Sequence, residues 1–111
     1  MHLCLSQVEG FGHYINESRA MGALIITVDA PPMNELVDED CGILITPSES
    51  EPAGLGMMYR ISEDDIEQTI ESVLTLPESR KIELGKAASE RFAKDQRAFY
   101  ERCASTILKL R

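Results

Sequence analysis

Three short apolar runs, at 3–5, 23–28 and 43–46, divide the first half of the chain, and glycine and proline punctuate the spaces between them. Runs rich in β-branched side chains without polar alternation mark strands covered on both faces, as in a parallel sheet. They predict strands over 3–5, 24–27 and 43–45, parallel and in consecutive order, with helices packed on the faces of the sheet. Between the first two, Gly10 and Gly12 let the chain turn, residues from about His13 read as a helix of two to three turns, and Gly22 ends it. Pro31 and Pro32 stop the second strand, 33–37 reads as a helical turn, 38–42 as a loop, and Pro47 closes the third strand.

The second half changes period. Residues 48–56 carry serines, glutamates, prolines and glycines and read as an exposed loop, followed over 56–61 by a short edge segment. Ser62, with Asp65 three residues on, predicts a helix N-cap, and Ile66, Ile70, Val73 and Leu74 share one face of that helix. Pro77 breaks it and opens another, where Ile82, Ala88 and Phe92 recur at helical spacing and Gly85 weakens the middle. From Asp95 the pattern restarts, with Phe99, Cys103, Ile107 and Leu110 as a core-facing stripe and Lys109 and Arg111 at the negative end of the dipole. The 111 residues thus read as one partial domain: a strand and motif core over 1–47, a loop over 48–61 and a helical part over 62–111.

Chemistry concentrates in one stretch, from Glu9 to Gly22. A helix that opens after a glycine turn aims its free N–H groups at the carboxyl end of the sheet, where phosphates and sugar hydroxyls sit. Glu9 lies in the turn and Glu17 a helical turn inside. A carboxylate accepts two vicinal hydroxyl donors, so the pair suits a polyhydroxylated ligand; acid/base work competes with that reading. For Glu17 the plain alternative is a solvated helix glutamate beside Arg19, and for Phe11 a hydrophobic plug between two glycines.

Glu9 through Glu17, with its E-G-F-G start, resembles the E-x7-E motif of the family 4, GT-B fold glycosyltransferases. The likeness continues in order: Ala20-Met21-Gly22 looks like the family's A-x-G helix end. Residues 32–37 look like its P-x-x-E-hydrophobic-hydrophobic segment, and 42–45 like its G-hydrophobic strand before a proline. The surroundings of Glu17, with Asn16, Ser18 and Arg19, are more polar than the family's usual Leu-Glu-Ala. The resemblance implies a Rossmann-like partial sheet, the second half of a GT-B C-terminal domain. It implies transfer of a sugar from a nucleotide diphosphate sugar to a hydroxyl acceptor, with retention, no metal and no separate cofactor. On that reading Glu9 is catalytic and holds hydroxyls of the donor sugar, while Gly10, Phe11 and Gly12 place backbone amides against sugar and phosphate. Glu17 accepts from the ribose hydroxyls.

Net charge of −8 argues against nucleic acid or an anionic membrane as partner, since both require clustered Lys and Arg. Cys4, Cys41 and Cys103 are odd in number and far apart, as in reduced thiols of a cytoplasmic protein, and Cys4 and Cys103 read as core packing. A buried strand at the very first residues, with nothing before it to cover its edges, predicts a missing upstream segment; the resemblance implies that this segment holds the N-terminal acceptor domain and the basic residues that grip the diphosphate, so that this chain alone is inactive. Two competing readings stand beside it. One is a non-catalytic interaction module whose exposed first strand pairs with another chain or copy; the other is a small receiver-like α/β domain, which lacks the acid cluster that fold requires.

Overall fold

The computed structural model describes residues 1–5, 13–54 and 56–110. In chain order these form β1 (His2–Cys4), α1 (His13–Ala20), β2 (Ile25–Val28), α2 (Met33–Leu36) and β3 (Ile43–Ile45). There follow β4 (Glu49–Ala53), β5 (Gly56–Arg60), α3 (Glu63–Thr75) and α4 (Glu78–Lys109). β1, β2 and β3 make a parallel sheet in that order, with Leu3 beside Ile26 and Thr27 beside Leu44. The sheet is the one the apolar runs predict, an α/β arrangement with helices on its faces.

β2 is central and buried at every position, and its side chains contribute to two cores. Ile25 and Val28 belong to one, with Ile15, Met33, Val37, Cys41 and Ala88, while Ile26 and the preceding Leu24 belong to the other, with Ile45, Val73 and Leu84. Helix α4 thus contributes to both cores. Thr27 is also fully buried, and its hydroxyl is satisfied by donating to the Cys4 carbonyl at 2.8 Å, tying β2 to β1. Gly42 allows the α2–β3 loop to close down on this core, since a Cβ there would lie 2.3 Å from Val37 Cγ1.

Three expectations are corrected. Residues 48–56, read as an exposed loop, instead supply β4, which pairs antiparallel with the edge segment β5, with Ala53 opposite Gly56 and Gly54 at φ +62° in the turn. Pro52 is tolerated because both strands of an isolated hairpin are edges, and Arg60 ties across to Glu51 at 3.0 Å. The helix does not restart at Asp95; α4 runs unbroken for 32 residues, since no glycine or proline falls between Lys86 and Lys109. The stripe that reads as core is largely bare, with Phe99, Ile107 and Leu110 exposed and Cys103 half-buried.

Leu74 and Ile82 are also exposed, at 66% and 63%. Three strands about 4.8 Å apart make a sheet little wider than one helix, so only the middle of each helical stripe finds cover. The helix boundaries themselves follow their local signals. Ser62 Oγ accepts from the Asp65 N–H at 3.1 Å, as a cap should, and Pro77 stands immediately before α4.

Candidate functional site

Helix α1 runs back along β1, and its period decides which side chains face what. Ile15, Ser18 and Arg19 turn inward while Glu17 and Ala20 face out. Gly22 stops the helix in the left-handed region at φ +69°; the Ala23 N–H reaches the Ser18 carbonyl and the Gly22 N–H the Arg19 carbonyl, both at 3.1 Å. That pair of bonds is a Schellman ending, which requires a residue comfortable at positive φ.

Ser18 and His2 hold helix and strand together: His2 Nδ1 lies 2.5 Å from Ser18 Oγ. Along the outer side of this junction runs an open groove of about 560 Å³, lined by His2, Leu3, Cys4, Leu5, Glu17, Ser18 and Met21. Its lining is mixed. Leu3, Leu5 and Met21 supply apolar surface, and Glu17 contributes a carboxylate beside the buried Ser18 hydroxyl.

Arg19 does not pair with Glu17. Its side chain is 1% exposed, bonded through Nη2 to Asp95 and through Nη1 to Asn16 Oδ1 at 2.8 Å, with the guanidinium 5.4 Å from the Phe92 ring centre. Only Nε is left without a partner among the described residues. The cation closest in sequence to Glu17 is therefore committed to the α1–α4 contact, and Glu17 makes no ion pair with a described residue. A carboxylate so placed presents acceptor oxygens to the groove.

Of the residues expected at the site, Glu9, Gly10, Phe11 and Gly12 lie outside the described residues, and Glu17 alone is placed. The groove adds two side chains that sequence spacing does not indicate. His2 and Ser18 are sixteen positions apart and meet only because α1 folds back on β1. A second groove of about 440 Å³ lies between β3 and α3, edged by Thr46, Asp65, Gln68 and Ser72, and holds none of the expected residues. Among the described residues, no three His, Cys, Asp or Glu side chains gather as a metal site, and no helix is long and apolar enough to cross a membrane. Comparison with protein-family models, curated proteins and solved structures finds no match to this chain.

Proposed function

We propose that the chain is the nucleotide-sugar-binding half of the donor domain of a retaining, metal-independent glycosyltransferase of the cytoplasm. In this reading Glu17 accepts the ribose hydroxyls of a nucleotide diphosphate sugar, and Glu9, Gly10, Phe11 and Gly12 contact its sugar and phosphates. The observation that carries the reading is the state of Glu17: it lines a groove of ligand size and makes no ion pair with a described residue, the cation nearest to it in sequence, Arg19, being turned inward to Asp95. The parallel α/β order and the E-x7-E string before a Schellman glycine support it.

In a protein that joins this chain to an acceptor domain and the phosphate-gripping residues, Glu17→Gln should weaken the donor by about 1.5–3 kcal/mol, the range for hydrogen bonds to a charged group. Because Glu17 is exposed, folding stability should change by less than about 0.5 kcal/mol. Calorimetric titration with the donor, read separately from turnover, checks this. Wild-type affinity and turnover in the variant would remove the glycosyltransferase reading.

A second reading is favoured by the edge of β1. Its outer side has no partner strand among the described residues, and Met1, Leu3 and Met21 beside it are 61%, 48% and 74% exposed. An open apolar edge pairs with other chains, so a non-catalytic module that associates through β1 accounts for the same groove. Loss of association on Leu3→Lys, with no donor bound by the joined protein, would favour this reading over the first.

A further inference from the structure

We draw no further inference here: the strongest candidate, the groove between β3 and α3 that is edged by Thr46, Asp65, Gln68 and Ser72, lies along a strand edge that has no partner among the described residues, and nothing in the structure shows what covers it.

Discussion

Arg19 is the most buried charge among the described residues, and its position explains why α1 and α4 pack as they do. A guanidinium at 1% exposure is tolerable only while most of its donors are met: Asp95 and Asn16 take its two Nη groups and the Phe92 ring faces the cation, with Nε alone left without a partner among the described residues. Asp95 is itself half exposed, at 48%, and Arg91 Nε approaches it at 4.0 Å, so solvent and a second cation dilute the pair. Asp95→Ala should cost about 1–2 kcal/mol after that discount, and Asp95→Asn, which can still accept from Arg19, should cost less. Urea denaturation of the two variants checks the order; equal stability of wild type and Asp95→Ala would show that Arg19 does not need Asp95. Glu17 and Arg19 stand two positions apart, about 200° around the helix, so the face that packs inward takes Arg19 and leaves Glu17 to the groove.

At the scale of elements, the crossing of α4 over the end of α1 is set by two glycines. A Cβ at Gly85 would lie 2.1 Å from the Gly22 carbonyl oxygen, a backbone atom that cannot swing aside. Gly85, which in sequence looks only like a weak point in a helix, is the position that lets the two elements touch. Gly85→Ala should therefore destabilise by about 1–3 kcal/mol despite alanine's better helix propensity, read as a lower urea midpoint with an unchanged m-value. A gain in stability would mean that the crossing relaxes freely. The strands, the α1 ending and the Ser62 cap were all legible, because each is written in a few adjacent residues. The β4–β5 hairpin was not, since its alternation is blurred by Pro52 and its strands are held mainly by each other and by the partly buried Tyr59.

The whole molecule is extended for its size. A compact 111-residue domain has a radius of gyration near 13 Å, whereas this chain reaches 15.8 Å, with extents of 55 × 39 × 16 Å. Small-angle scattering at dilute concentration should give a value close to 16 Å; a dilute value near 13 Å would mean that the distal half of α4 folds back on the body. By itself the sequence determined the three parallel strands, their order, the stop at Gly22 and the helical character of the C-terminal half, because period, capping and turn chemistry act over a few residues. Only the tertiary structure decided that His2 and Ser18 share a groove with Glu17, that Arg19 turns away to Asp95, and that the stripe from Phe99 to Leu110 lies bare. Those outcomes depend on which distant elements meet and on how far a three-stranded body reaches along a 32-residue helix, and no local pattern encodes that distance.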